Sequence, residues 1–252
     1  MRLEKGLVRA SLFSAVGLFA SSSLSAAPLW SDNSISLLQG NNHVDFYSES
    51  SEQSVITLEH VSGYVWGGVF FFIDRTEKQD VPAGVDSDTT YGEISPDLSL
   101  SYLTGYDFKI ASIKDVQIAT TYEFGGQMDN YLYGIGVDWD LPLFNRFSSK
   151  LYYVDNDFTK SDIQLTLTWG YSLPLESVEI SFDGYLDWSS ARSDHQNELH
   201  FNPQLLVNVS PYIGLTNSKL EIGFEYSYWH NKYGVAALTD ESVFSLMAKY
   251  HL

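Results

Sequence analysis

The sequence predicts an all-β protein, a transmembrane antiparallel β-barrel of about twelve strands. Three observations carry this. Apolar and polar residues alternate with period two through most of the chain. Aromatics are abundant, with 17 Tyr, 15 Phe and 6 Trp, yet mean hydropathy is slightly negative. Beyond the N-terminus, no apolar run is long enough for a helix to cross a bilayer. A barrel strand shows lipid only one of its two faces, and Tyr and Trp gather where bilayer meets water, so a barrel reconciles all three.

The N-terminus reads as a secretory signal peptide. Arg2, Lys5 and Arg9 form a basic segment, Ser11–Ala20 is short and mostly apolar, and Ser21–Ala26 is rich in small residues. Cleavage is expected between Ala26 and Ala27, because one residue later Pro28 would become the new terminus. The apolar stretch falls short of the ~20 residues that a spanning anchor needs. Residues 1–26 are thus expected to leave and residues 27–252 to form one barrel. Removing Arg2, Lys5, Arg9 and Glu4 from the 14 basic and 32 acidic residues leaves 11 and 31, net −20. So acidic a surface repels nucleic acid. The chain has no cysteine, which removes disulfide scaffolds, thiol catalysis and thiolate metal sites.

The segments that alternate are, in order, Ser34–Gly40, Ser54–His60, Tyr64–Asp74, Tyr91–Tyr102, Asp115–Gly125, Tyr131–Asp140, Phe147–Val154, Ser161–Leu173, Val178–Ser189, Glu198–Ser210, Lys219–His230 and Ser242–Leu252. In the eighth, Ile163, Leu165, Leu167, Trp169 and Tyr171 share one face, and Gln164, Thr166, Thr168, Gly170 and Ser172 the other. A helix with this pattern would have no consistent apolar side. Most reach the ~9–11 residues of a tilted membrane strand, although the first two are short. The connections alternate in character. With the N-terminus in the periplasm, Asn41–Gln53, Arg75–Thr90, Gly126–Asn130, Asp155–Lys160, Ala191–Asn197 and Asn231–Glu241 are extracellular and mostly polar. The periplasmic turns are Val61–Gly63, Leu103–Lys114, Leu141–Arg146, Pro174–Ser177 and Pro211–Ser218. The final strand is expected to close the cylinder against the first. A secreted β-sandwich or lipocalin-like barrel would alternate too, but its apolar face turns inward and about eight strands suffice.

Three stretches, Gly92-Glu93-Ile94-Ser95-Pro96-Asp97-Leu98-Ser99, Leu103-Thr104-Gly105-Tyr106-Asp107-Phe108 and Tyr122-Glu123-Phe124-Gly125-Gly126, resemble the Tsx-like nucleoside-specific channels, a family that includes the outer membrane protein K group. Gly63–Asp74, Gly184-Tyr185-Leu186-Asp187-Trp188 and Tyr228-Trp229-His230 are weaker echoes. The resemblance implies a twelve-stranded barrel in the outer membrane of a Gram-negative bacterium. It also implies nucleosides as solutes and, in some members, a role as phage receptor. One departure stands out: Asp97 occupies a position where the family usually has Arg. Leu252 stands in place of a terminal Phe.

Alternation points Glu59, Glu93, Asp97, Glu123, Asp138, Glu179, Asp183, Asp187, Glu221 and Glu225 into the lumen, with Ser95, Ser99 and Ser101 on the face of Asp97. Lys249 and Lys150 are the inward bases. A tube lined by carboxylates favours cations and neutral solutes over phosphates, unless the acids pair with bases. Tyr152, Tyr185 and Trp229 are candidate stacking platforms for a base, and Asp183, Asp187 and Asn208 candidate partners for ribose hydroxyls; packing of the lumen wall is the plainer role for these rings. The implied partners are therefore outer-membrane lipid, lipopolysaccharide and small solutes. No cofactor is expected.

The other readings are a receptor or structural barrel without flux, to which the long loops Asn41–Gln53 and Arg75–Thr90 would suit phage contact, and an outer-membrane lipid hydrolase. For the latter the one pair to inspect is His230 with Ser227. No Gly-x-Ser-x-Gly or His-Glu-x-x-His motif is present. Asp155-Asn156-Asp157 and Asp86-Ser87-Asp88 offer hard oxygen ligands, but a solvated acidic loop is the simpler account of them.

Overall fold

The computed structural model describes residues 27–48, 50–79, 81–126, 128–176 and 178–252. The expected signal peptide, residues 1–26, lies outside the described residues. Twelve strands follow in order: β1 Trp30–His43, β2 Ser51–Tyr64, β3 Gly67–Lys78, β4 Asp88–Ser99, β5 Ile113–Gly125, β6 Met128–Trp139, β7 Arg146–Asp155, β8 Asp162–Pro174, β9 Glu179–Ser189, β10 Glu198–Asn208, β11 Lys219–His230 and β12 Glu241–His251. Each pairs antiparallel with its sequence neighbours, and β1 pairs with β12, so the sheet is a closed barrel. The closing seam runs from Ser34 opposite His251 to Gly40 opposite Ser245. The start of β1 and the end of β12 therefore lie at one mouth, called here the terminal mouth.

The first two strands, read from sequence as the shortest, are the longest at 14 residues each. Their ends lack clean alternation because Asn41, Asn42 and Ser51 to Gln53 are all polar, yet the ladder runs on to His43 opposite Ser51. The fourth strand keeps the expected length of 12 residues but lies three positions earlier, Asp88–Ser99 in place of Tyr91–Tyr102. Ser99 stops it, its Oγ accepting from the Tyr102 amide at 3.1 Å and so capping helix α1, Leu100–Thr104. Gly105, at φ 70, ends that helix. Ser101 consequently leaves the lumenal face assigned to it; in α1 its Oγ donates to Asp115 at 2.7 Å. A second short helix, α2 Ser210–Ile213, and a 3-10 turn, Lys232–Gly234, complete the elements.

The radial distribution of polarity is inverted relative to a soluble protein. Large apolar side chains stand exposed on the outer face: Ile56, Ile135, Leu151, Leu205, Phe224, Phe244 and Leu246 among them. Polar and charged side chains are buried: Ser36, Gln117, Thr121, Ser181, Asn202, Glu221, Glu241 and Lys249. Buried polar groups and exposed apolar bands are the informative exceptions to ordinary burial. Here they follow from a hydrocarbon exterior, where backbone groups must pair within the sheet. The inner face is also identified by contacts that skip a strand, because side chains converge only on the concave side. Lys249 of β12 reaches Glu59 of β2 across β1 at 2.9 Å, and Ser181 of β9 reaches Glu221 of β11 across β10 at 2.8 Å.

On the outer face, Trp169 lies over the gap left by Gly184, where an added Cβ would come within 2.8 Å of the indole. The ring stacks with Phe201 at 5.7 Å between centroids. This explains why an outward Trp is only 7% exposed.

Placing a charge on the outer band tests this sidedness. Phe224→Arg, near the middle of β11, is expected to cost about 2–4 kcal/mol of folding free energy in a bilayer. Ser227→Arg, on the inner face, is expected to leave the apolar band intact. Urea titration of the reconstituted barrel, read by heat-modifiable gel mobility, checks the first value.

Candidate functional site

The inner wall is the site. The lumenal acids, aromatics and amide singled out from sequence (Glu59, Glu93, Asp97, Glu123, Tyr152, Asp183, Tyr185, Asp187, Asn208, Glu225 and Trp229) pair across the strands with residues of the inner face. The wall divides into three zones that differ in how its carboxylates are partnered.

Near the terminal mouth the acids are matched by bases. Glu59 pairs with Lys249 at 2.9 Å. Glu221 takes Lys219 at 2.9 Å and His251 at 2.9 Å, and the other ring nitrogen of His251 meets Asp32 at 2.8 Å. Glu179 shares Lys219 at 3.1 Å and accepts from Asn208 Nδ2 at 3.3 Å. Asp97 is bound by Lys150 of β7 at 2.6 Å. Gln117 donates to Asp138 at 2.7 Å beside them. Asp183 sits next to Arg146, both flanking Gly170. In this zone paired acids contribute little net charge to the tube.

The middle of the lumen is different. Glu93 accepts from Tyr91 Oη at 2.7 Å, Glu123 from Asn130 at 2.9 Å, Glu225 from Gln204 at 2.9 Å and Asp74 from Thr57 at 2.6 Å. Asp187 accepts from Thr166. All these donors are neutral, and among the described residues no Lys or Arg forms an ion pair with these five acids. Aromatic rings interleave with them. Phe72 faces inward, opposite Glu59 and Glu93 in the ladder, and lies between Phe70 and Tyr91, 5.7 Å from each. Tyr185 and Asp187 face Glu93 within electrostatic reach. Sequence alternation missed Phe70 and Phe72 because Val69 to Ile73 is apolar without a break, so neither face could be told from the other. Asp74 and Tyr91 were missed because both sat at the edges of the expected strands.

Toward the mouth away from the termini lies an aromatic stack. Tyr185 meets His200 edge-on at 5.2 Å, its Oη 3.2 Å from Nδ1. His200 lies flat on Trp229, with centroids 4.0 Å apart and planes within 5°. The Lys232 ammonium is 4.6 Å from the Trp229 ring centroid, and Trp229 Nε1 donates to Glu198 at 2.6 Å. Trp229 thus already has an imidazole and an ammonium as neighbours of its π system, which leaves less of it for a solute than Tyr185 or Phe72 has. Tyr152, 3% exposed, packs into the wall with its Oη 3.3 Å from Thr121. Lys232 sits in a loop outside the spanning strands. Burial draws it below the ordinary lysine value, and the Glu241 carboxylate opposes that shift.

The hydrolase pair is not assembled. His230 points away from Ser227 and holds Asp240 at 2.8 Å, while Ser227 donates to Glu241 at 2.8 Å and meets His200 at 3.2 Å. In the Asp86–Asp88 stretch the Asp88 amide donates to Asp86 at 3.0 Å and the Asp88 carboxylate meets Arg75 at 2.5 Å; in the Asp155–Asp157 stretch the Asn156 side-chain amide donates to Asp162 at 3.0 Å.

A closed barrel with apolar side chains outside and ionisable side chains inside is an outer-membrane channel of a Gram-negative bacterium, a conduit for small solutes. Residues 32–250 match the family described as "Nucleoside-specific channel-forming protein, Tsx", and the chain belongs to that family. Among curated proteins, no sequence matches the chain. Solved structures with similar outlines include the KdgM porin, at 11% identity and TM-score 0.47, covering 86% of this chain and 98% of its own. The NanC porin follows at 12% identity and TM-score 0.46 over 86% and 98%. Omp33 of Acinetobacter baumannii has 10% identity and TM-score 0.38 over 88% and 99%. Likeness this loose says nothing of the solute.

The Asp97–Lys150 pair is testable by itself. Lys150→Met strands a mostly buried carboxylate and is expected to destabilise the barrel by about 3 kcal/mol, whereas Lys150→Met with Asp97→Asn recovers most of the loss. Urea midpoints of the two single variants and the double variant close the cycle.

Proposed function

We propose that this barrel lets nucleosides, and other small neutral or cationic solutes, diffuse into the periplasm while retarding anions. The observation that carries the reading is the middle zone, where Phe72, Tyr91 and Tyr185 alternate with Glu93, Glu123 and Asp187, carboxylates that form no ion pair with Lys or Arg among the described residues. An aromatic face suits a nucleobase, at about 1–3 kcal/mol per stacked base. Carboxylates and amides alongside suit ribose hydroxyls, and an unneutralised acidic wall in a narrow tube concentrates negative potential that opposes phosphates. Family membership supports the same solute, since the family is described by nucleosides. Asp97, where the family usually carries Arg, keeps its local charge balanced through Lys150, so the departure reverses the order of charges in that part of the wall without adding to the acidity of the middle zone. Export with cleavage after Ala26, giving a mature barrel of residues 27–252, completes the reading.

Two measurements test it. In planar bilayers under a salt gradient, the reversal potential is expected to show cation selectivity that falls in Glu123→Gln and Asp187→Asn; anion selectivity in the unaltered protein refutes the charge argument. In liposome swelling, Phe72→Ala and Tyr185→Ala are each expected to weaken nucleoside preference about tenfold relative to an amino acid of matched size. Equal change for both solutes refutes the stacking role.

A further inference from the structure

The connection between β11 and β12 folds its first turn against the inner wall: Lys232 and Gly234 are buried, while Tyr233 between them is 43% exposed. Its first residues adopt backbone conformations that side chains disfavour: Asn231 at φ 48 and Tyr233 at φ 60, followed by Gly234 at φ 69. Left-handed non-glycine residues persist only where surrounding contacts over-determine them, and the contacts here are numerous. Lys232 drops its ammonium to Glu241, 2.6 Å away, where the two side chains are 6% and 2% exposed. Glu241 is a hub, accepting from the Val44 amide at 2.8 Å and from Ser227 Oγ at 2.8 Å as well. On the other side, Glu198 accepts from the Tyr233 and Gly234 amides and from the Trp229 indole. The Gln196 amide donates to Gly234 O at 2.9 Å, and Asn231 Nδ2 to Asn197 O at 2.9 Å. Tyr233 stacks on Phe46, from the β1–β2 connection, at 5.2 Å.

These contacts fix the segment at both ends of a chord. One end rests on the β9–β10 connection and Glu198, the other on the start of β12 and the β1–β2 connection. The segment between therefore runs along the rim over β10, β11, β12 and β1, with Lys232 on the lumenal side against Trp229 and Glu241. A connection that served only to join two strands would leave Lys232 hydrated, since burying an ammonium costs free energy unless a carboxylate meets it. A buried carboxylate, Glu241, and a half-buried one, Glu198, in different strands are given over to holding this turn in.

We infer that Lys232 and Tyr233 form a fixed constriction at the mouth away from the termini, clamped by Glu241 and Glu198, and that this constriction sets the upper size limit of the solutes the channel admits. The inference rests on the protein's being a channel and not on which solute it prefers. Solutes the size of a nucleoside or smaller pass beside the chord; longer ones are stopped at Tyr233.

The full-length protein in liposomes and planar bilayers tests this. Glu241→Gln removes the anchoring charge and leaves Lys232 in place. It is expected to raise single-channel conductance about twofold or more and to admit sugars larger than the unaltered barrel does. Trypsin is expected to cut after Lys232 in this variant and not in the unaltered barrel. Lys232→Ala with Tyr233→Ala removes the obstructing side chains without altering a strand, and decides the matter should Glu241→Gln fail to insert. It is expected to raise conductance and the size limit in the same way. Unchanged conductance and size limit in the double variant overturns the inference, as does tryptic cleavage after Lys232 in the unaltered folded barrel. Nucleoside preference and reversal potential are read separately, so a channel that lacks nucleoside preference can still show the altered size limit.

Discussion

Everything in this molecule depends on the seam between β1 and β12. In hydrocarbon an unpaired backbone amide or carbonyl costs several kcal/mol, and an open sheet would present a whole row of them on each edge. The ladder from Ser34 opposite His251 to Gly40 opposite Ser245 removes both rows together. Side chains reinforce the seam from within: Lys249 crosses β1 to Glu59, and His251 ties Asp32 of β1 to Glu221 of β11. Once the cylinder is closed, the inside and outside of every strand are fixed, because a register shift of one residue would turn carboxylates to lipid and Leu, Ile and Phe to water.

That constraint is why so much was legible in the sequence. All twelve strands are present, and each lumenal acid and aromatic expected from alternation lies on the inner face. Glu221, Glu225 and Trp229, for example, need only the counterpoint of Ile222, Phe224 and Tyr228. What escaped reading escaped for local reasons. Phe70 and Phe72 line the lumen inside the unbroken apolar run Val69 to Ile73, where period two has no contrast to show itself. The first two strands extend through polar residues that belong to the wall near a mouth, where the outer face meets headgroups and no longer needs to be greasy. Ser101 continued the pattern of β4 by accident of spacing, whereas the cap at Ser99 had already turned the chain into a helix. Partnership was the least legible feature: Lys150 and Asp97 are far apart in sequence, and only the curvature of the sheet brings them to 2.6 Å.

Partnership is what gives the lumen its electrical shape. The overall charge of −18 says that the protein is acidic without saying where that acidity acts. Bases placed at Lys219, Lys249, Arg146 and Lys150 neutralise or flank the wall near the terminal mouth. The middle is left to Tyr91, Asn130, Gln204, Thr57 and Thr166, neutral donors that orient carboxylates without cancelling them. A carboxylate held by a hydroxyl or amide has no fixed cation beside it, whereas one bound to an ammonium does. The acids without a fixed cation are thereby gathered in one part of the tube, the kind of ring by which other pores discriminate.

Aromatic residues are divided in the same manner. At the mouth, Trp229 is consumed by structure, stacked on His200 and held near Lys232, and Tyr233 is fixed against Phe46. In the middle, Phe72 meets Phe70 and Tyr91 by tilted contact and Tyr185 meets His200 edge-on, so these contacts do not cover a ring face by parallel stacking. A ring already stacked on both sides offers a solute no new apolar contact, and displacing its neighbours would undo the ion pair beneath. A ring held by one edge offers a face at little cost. Rigid aromatics at the entrance and less constrained ones beyond it suit the two tasks proposed for this channel, which a single ring could not perform together: fixing the aperture, and holding what has passed through it.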